Sequence, residues 1–384
     1  MEKRKNILIC PLEWGLGHAT RMIPLAAELL SLKHNVIFAS GKEHISLIRR
    51  ELPGCPYIDF PGFNPGYSRY LPQYISIFLK IPLLAYHIVL EHSRLKKIIR
   101  AHAIDIVISD NRFGLWNRSV KTVYVTHMPL IPFPKKMKFS EALGIFFHSQ
   151  IIRQYDLCFI PDLPGPINIS GRLSHGISLP GNVRYIGILS RFTSLDVTSD
   201  VDFKPPTPQR GLNKSPQGDL GVDLKYNTVI LSGPEPQKEI LKQKLIRLFK
   251  DKEPVTIMLE GKPGNPEEIN RTGNIILFSH LPSAKMRDII SGSGGIISRS
   301  GYTTVMDLLS LNRSALLIPT PGQTEQEYLA EYLSEQGLFS TISQNSINEE
   351  VSFPAKKSLH SSGLVERSRI LLHDALRELS EEQL

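Results

Sequence analysis

Residues 298–328 read SRSGYTTVMDLLSLNRSALLIPTPGQTEQEY, and the fold is decided there. An apolar run ending at Ser298 passes through a small, hydroxyl-bearing turn, Arg299-Ser300-Gly301-Tyr302, into a helical period from Thr303 to Leu311. A second apolar run, Ala315 to Pro319, leads through Thr320-Pro321-Gly322 to a polar helix start at Glu325. Strand, turn and helix in alternation describe a parallel sheet covered on both faces. Ligands of such sheets gather at the C-terminal strand ends, where free helix N–H groups hold anions.

Working outward, the alternation continues on both sides. Upstream it gives strand Thr228 to Leu231, helix Lys238 to Phe249, strands Pro254 to Leu259 and Asn274 to Leu277, helix Ala284 to Ser291 and strand Gly295 to Ser298. Farther back a second set appears: strand Asn6 to Cys10, a glycine-containing loop, helix Arg21 to Leu32, strand Asn35 to Ser40, helix His44 to Glu51, then strands Asp105 to Ser109 and Thr122 to Thr126. Between the sets, residues 192–225 are rich in Pro, Asp, Ser and Gly and lack a hydrophobic period, which marks a linker or insertion. The expected architecture is α/β, with two doubly wound Rossmann-like domains facing a cleft. They span residues 1–191 and 226–384, the second closed by a terminal helix from Leu364 to Leu379.

Bulk composition agrees with two domains, since 384 residues exceed what one core organises and 41% hydrophobic with 21% charged is ordinary globular usage. The formal charge of +8, from 45 basic against 37 acidic residues, favours anionic partners. The basic residues are scattered and no recognition module is present, which speaks against nucleic acid. Cys10, Cys55 and Cys158 lack the paired spacing of a zinc site or disulfide framework. No signal peptide or segment long enough to span a bilayer is evident, so the expected location is cytoplasmic, soluble or peripheral at the inner face of the membrane.

Chemistry-bearing residues cluster at the expected strand ends. In Glu13-Trp14-Gly15-Leu16-Gly17-His18, Gly15 and Gly17 allow a ligand close to the backbone and are candidate donor-binding residues. Thr20 and Ser40 break the dinucleotide fingerprint there, which argues against NAD. His18 reads as a general base or as a helix-capping histidine. Asp110 reads as the carboxylate orienting it or as a turn residue. In the second half, Ser300, Gly301, Thr303 and Thr304 with the first helical N–H groups form a pocket for a diphosphate. Asp307, four residues beyond Thr303 on the same helix face, can accept both hydroxyls of a ribose or serve as a helix-dipole partner. Glu325 and Gln326 suit sugar hydroxyls, or form a solvated first turn.

The order of a glycine loop with His, then Ser-Gly-x-Thr-Thr-x-x-Asp, then Pro-x-x-x-x-Glu-Gln resembles GT-B glycosyltransferases. It is most similar to glycosyltransferase family twenty-eight, which includes the MurG-like UDP-GlcNAc transferases of peptidoglycan synthesis. The resemblance implies a diphosphate at Ser300, Gly301, Thr303 and Thr304, a ribose at Asp307 and the donor sugar at Glu325 and Gln326. It also implies His18 as the acceptor's base, with Asp110 matching the aspartate that pairs with that base in related plant transferases. Two departures stand out. The family often has Glu where Asp307 stands, and its Gly-Gly-Ser loop is replaced by Ser232-Gly233-Pro234-Glu235-Pro236-Gln237, whose prolines remove N–H donors. Ser232 and Gly233 remain the donor-loop candidates.

The implied reaction is inverting transfer of a sugar from a UDP-sugar such as UDP-GlcNAc to a hydroxyl acceptor, for a cell-envelope polysaccharide, with no metal and no cofactor beyond the nucleotide-sugar substrate. Asp200-Val201-Asp202 has the pattern of a metal-dependent transferase but falls in the linker, where it reads as chance. A nucleotide-sugar 2-epimerase and a noncatalytic nucleotide-sugar-binding protein stay open as alternatives. On the acceptor side, Tyr67, Tyr70, Tyr74, Phe78, Leu79, Ile81, Leu83, Leu84 and Tyr86 precede the basic Arg94, Lys96, Lys97 and Arg100. That segment is either a core helix with a solvated end or a peripheral membrane face for a lipid-linked acceptor. Pro129, Pro132 and Pro134 with Lys135, Lys136 and Lys138 suggest a second basic loop suited to an anionic acceptor or headgroup.

Overall fold

A computed structural model describes residues 4–64, 66, 79–133, 140–193, 226–262, 269–355 and 363–380. Most of the expected linker at 192–225 lies outside the described residues, as do Asp200 and Asp202, Tyr67, Tyr70, Tyr74 and Phe78, and Pro134, Lys135, Lys136 and Lys138.

The first half runs β1 (Asn6–Cys10), α1 (Leu16–Ser31), β2 (Asn35–Ser40), α2 (Lys42–Glu51), β3 (Tyr57–Asp59), α3 (Ile81–Ala101), β4 (Ile106–Asp110), β5 (Lys121–Val125), α4 (Ser140–Ile152), β6 (Leu157–Ile160) and β7 (Val183–Tyr185). The strands pair in parallel in the order β3-β2-β1-β4-β5-β6-β7. The strand period of two divides β1 between the two faces. Ile7 and Ile9 pack with Met22, Leu25 and Leu29 of α1, whereas Leu8 and Cys10 pack with Leu95 and Ile99 of α3. Burial on both faces explains why these strands are continuous apolar runs. Cys10 is part of that packing, and burial pushes its thiol up to about 12.

The second half repeats the plan: β8 (Tyr226–Ile230), α5 (Gln237–Phe249), β9 (Val255–Leu259), β10 (Ile269–Thr272), β11 (Ile275–Phe278), α6 (Ser283–Gly292), β12 (Ile296–Ser298), α7 (Tyr302–Ser310), β13 (Leu316–Leu317), α8 (Thr324–Glu335), β14 (Ser340–Thr341) and α9 (Leu364–Ser380). The sheet order is β10-β11-β9-β8-β12-β13-β14, parallel except for the antiparallel pair of β10 with β11. Both sheets reverse direction of winding at one seam, β1 beside β4 in the first and β8 beside β12 in the second. Those seams are the topological switch points where an open α/β sheet leaves a crevice.

Three features depart from the sequence expectation. Helix α1 starts at Leu16, so Gly17, His18 and Arg21 stand on its first turns rather than in a loop or at the helix start. Its N-cap, Gly15, has φ 151°, a conformation that glycine adopts without a side-chain clash. Asp110 is the last residue of β4 and not the residue after it. The terminal helix α9, attached by sequence to the second domain, packs on the first. Glu28 meets His373 at 2.8 Å, Ser368 accepts from Ile188 N–H at 3.0 Å, and Glu378 pairs with Arg184 at 2.9 and 2.8 Å. Among the described residues, no helix is long and apolar enough to cross a membrane.

Candidate functional site

A cleft of about 660 Å³ lies between the two switch points and is lined by Gly15, Gly17 and His18 from one side and Gly301, Thr303 and Thr304 from the other. The N-terminal turns of α1 and α7 meet across it: Thr303 Oγ1 donates to the Gly17 carbonyl at 3.1 Å. A Cβ at Gly17 would come within 3.0 Å of the same Oγ1, so glycine allows this approach. The first intrahelical bond of α7 is from Val305 N–H to Gly301, leaving the N–H groups of Tyr302, Thr303 and Thr304 ahead of it. Two positive helix ends converge on one volume, which suits an anion.

The expected side chains around that anion volume have other partners as well. Ser300 is fully buried and its hydroxyl donates to the Gln326 carbonyl at 2.8 Å, tying the loop after β12 to the start of α8. Gln326 Oε1 accepts from Thr320 N–H at 2.9 Å and so shapes the Pro/Gly turn. Asp307 accepts from Ser190 Oγ at 2.7 Å and lies 3.4 Å from Arg191 Nε. Burial of Asp307 outweighs those two partners and raises its carboxyl above the usual range. Ser232 and Gly233, after β8, line the cleft beside Lys238. Lys238 is a cation at the loop whose prolines remove N–H donors, and neither it nor Arg191 was singled out from sequence.

On the opposite wall the structure brings His18 and Asp110 together, Nδ1 to Oδ2 at 3.0 Å. They arrive there because β1 and β4 are neighbours, so the helix after one and the last residue of the other share an edge. Two further residues complete the group. Arg21, three residues after His18 and therefore on the same face of α1, is buried and donates Nε–H to Asp110 Oδ2 at 3.0 Å and a second N–H to Oδ1. His127, just past β5, has Nδ1 at 3.0 Å from Arg21 and Nε2 at 2.8 Å from Glu325 Oε1, and stacks on Tyr302 at 4.1 Å. Its position at a C-terminal strand end is the same signal that identified Asp110. Arg21 carries the helix-face spacing as its signal.

Electrostatics separate these groups. Burial opposes the charge on Asp110, but Arg21 and His18 prevail and hold its carboxyl at about 2. Burial, then Arg21, lowers His18 below its ordinary 6.5 despite Asp110. Burial also opposes ionisation of Glu325, yet His127 holds its carboxyl below the usual range. The result is a neutral imidazole beside a firmly ionised carboxylate, the arrangement a general base needs near pH 7.

Apolar side chains of the cleft wall include Trp14, Phe63, Ile81, Leu84, Ile88 and Phe133. Ile81 is also exposed, as are Leu79, Leu83, Tyr86 and Val89 near the start of α3 and Leu143, Phe146 and Phe147 of α4. The first half of α3 is therefore not a core helix; its buried residues, Glu91, Leu95 and Ile99, fall in the second half.

Comparison with known proteins bears on the fold and on the class of activity. Residues 228–363 match the glycosyltransferase family 28 C-terminal domain. An uncharacterized glycosyltransferase of Methanosarcina acetivorans is 23% identical over 362 residues, 88% of this chain and 85% of that protein. The UDP-N-acetylglucosamine–N-acetylmuramyl-(pentapeptide) pyrophosphoryl-undecaprenol N-acetylglucosamine transferase of Sulfurihydrogenibium sp. is 24% identical over 127 residues, 32% of this chain and 35% of that one. The solved structure of the glycosyltransferase SnogD from Streptomyces nogalater superposes with a TM-score of 0.56 at 15% identity, covering 99% of this chain and 100% of that one. The chain is a glycosyltransferase with the two-domain GT-B fold, similar over residues 228–363 to the family 28 C-terminal domain.

Proposed function

We propose that the protein transfers a sugar, with inversion and without a metal, from a UDP-sugar such as UDP-GlcNAc to a hydroxyl of an amphiphilic, lipid-linked acceptor. The observation that carries the reading is the meeting of the α1 and α7 N-termini, with His18 and Asp110 on one side and Asp307 and Glu325 on the other. The α7 N–H groups, with Lys238 beside the loop after β8, would hold the diphosphate and stabilise it as it leaves, a preorganised electrostatic contribution. Asp307 would receive the ribose in competition with Ser190 and Arg191, and Glu325 and Gln326 the sugar. His18 would take the acceptor proton as the hydroxyl attacks the anomeric carbon from the face opposite the leaving group, which is what inverts the centre.

The apolar wall supports the acceptor class. Ile81 belongs both to that wall and to a group of exposed apolar side chains with Leu79, Leu83, Phe146 and Phe147, more apolar surface than solvated helices usually show. A lipid tail lying along that strip would bring its polar head to His18. Flotation with anionic liposomes is expected to carry the wild-type protein and not a Leu83→Asp/Phe147→Asp variant; equal flotation of both, or of neither, would remove the lipid face.

The decisive assay compares donor binding with turnover. A thermal-shift panel of UDP-, GDP- and dTDP-sugars should show stabilisation by the UDP-sugar, since ligands of the native state raise stability by mass action. His18→Ala should leave that shift in place while transfer falls ~100-fold or more. Unchanged transfer rejects His18 as base, loss of activity with EDTA rejects metal independence, and epimer formed from UDP-GlcNAc without acceptor rejects the transferase reading in favour of an epimerase.

A further inference from the structure

The guanidinium of Arg21 touches three titratable side chains. It donates twice to Asp110, lies 3.0 Å from His127 Nδ1 through one terminal nitrogen, and lies 2.9 Å from His18 Nδ1 through the other. A guanidinium can only donate. Toward His127 that leaves one arrangement: Nδ1 accepts, and the ring hydrogen sits on Nε2, 2.8 Å from Glu325 Oε1. Toward His18 it leaves two, because Nδ1 is also 3.0 Å from Asp110 Oδ2. A hydrogen on Nδ1 donates to Asp110 and leaves Nε2 bare, able to take a proton from the acceptor. If Nδ1 accepts from Arg21 instead, the hydrogen sits on Nε2 and His18 cannot act as a base.

We propose that Arg21 is a positioning residue that sets the tautomer and basicity of His18, and that His127 links that setting to the sugar side of the cleft through Glu325. The inference rests on the reading of His18 as base. Glu325, His127, Arg21, Asp110 and His18 form one chain of hydrogen bonds crossing from α8 to α1. A sugar hydroxyl donating to Glu325 competes with His127 for the same oxygen. Loosening His127 frees the Arg21 nitrogen that it holds, so arrival of the donor is felt at Nδ1 of His18. The charged and titratable groups around His18 are Arg21 on α1, Asp110 on β4, His127 after β5, His44 on α2 and Glu325 on α8. Arg21 is the fixed cation of the set and opposes protonation of His18, while Asp110 favours it.

The test uses the full chain labelled with ¹⁵N-histidine, His18 being assigned with His18→Asn and its ring nitrogens followed by NMR against pH, with and without UDP-GlcNAc. Arg21→Gln should raise the His18 titration midpoint by about 1 pH unit or more, the scale of losing a neighbouring like charge. Arg21→Lys, which keeps the charge, should stay near wild type. UDP-GlcNAc should shift the His18 nitrogens beyond the shift that UDP alone produces in the wild type, and by no more than UDP does in His127→Asn. A midpoint unchanged in a folded Arg21→Gln, or raised as much in Arg21→Lys, overturns the role of Arg21. An excess of the UDP-GlcNAc response over the UDP response that survives in His127→Asn overturns the link, and this arm also decides the case if Arg21→Gln does not fold. The readout is independent of turnover, so loss of the base reading through His18→Ala is distinguishable from loss of this inference.

Discussion

Asp110 is the residue on which the site's chemistry and the domain's stability meet. Its folded carboxyl titrates at about 2, below the ordinary 3.8, so the stability it contributes is complete above that ordinary value and is lost as pH falls toward 2. Asp110→Asn removes the charge and leaves Arg21 buried without its counterion, which costs about 3–5 kcal/mol in cases of this kind. Urea unfolding at pH 7 should show that loss, and the variant's midpoint should change less than the wild type's between pH 4 and pH 2. His18 titrates below 6.5, so the rate should stay level from pH 8 down to that region and then fall as pH drops through the lowered midpoint. An acid limb above 6.5 in the pH–rate profile would contradict the burial and cation effects described for it. His18 and Asp110 were legible in the sequence because glycine loops and acids at C-terminal strand ends have positional meaning. Arg21 was not, because a buried arginine inside a helix looks like any charged helical residue until the neighbouring strand supplies its carboxylate; His127 carries the strand-end signal of Asp110 without a neighbouring motif to draw attention to it.

At the scale of elements, the opposed N-termini of α1 and α7 set the width of the anion volume. Gly17→Ala would press a methyl on Thr303, and an overpacked contact costs about 1–3 kcal/mol. Donor affinity should weaken roughly tenfold, equivalent to about 1.4 kcal/mol, with the circular dichroism spectrum unchanged. Titration calorimetry showing wild-type affinity would mean that the two helices need not meet to bind donor. The long apolar strands and the helices between them could be read from the sequence because burial on both faces writes a continuous hydrophobic run. Strand β10 could not: Ile269 to Thr272 are all exposed at a sheet edge and carry no such pattern. The start of α1 was missed for a related reason, since Gly15, Leu16 and Gly17 give no apolar period and their helix is set by the turn at Gly15.

For the whole molecule, α9 makes the two halves depend on each other, because it follows the second sheet in sequence and packs on the first. Its hold is apolar rather than ionic. Leu372, Ala375, Leu376 and Leu379 are buried, whereas the Arg184–Glu378 pair is 40% and 42% exposed and largely screened. Leu376→Ala should destabilise by about 2–5 kcal/mol, and Arg184→Ala by less than about 1 kcal/mol, in urea unfolding. A reversed ranking would show that α9 is pinned by charge. Sequence periodicity revealed that α9 is a helix but not which half it covers, since its apolar face fits either sheet and only the fold supplies the partner. In the proposed reaction the nucleotide of the donor sits in the C-terminal half with its diphosphate on α7. The most direct test is the structure of the protein soaked with UDP. Phosphate oxygens are expected within hydrogen-bond distance of the Thr303 and Thr304 N–H groups, with the ribose at Asp307. UDP seated instead on Gly15 and Gly17 with its ribose toward β2, or not bound at saturating concentration, would contradict it.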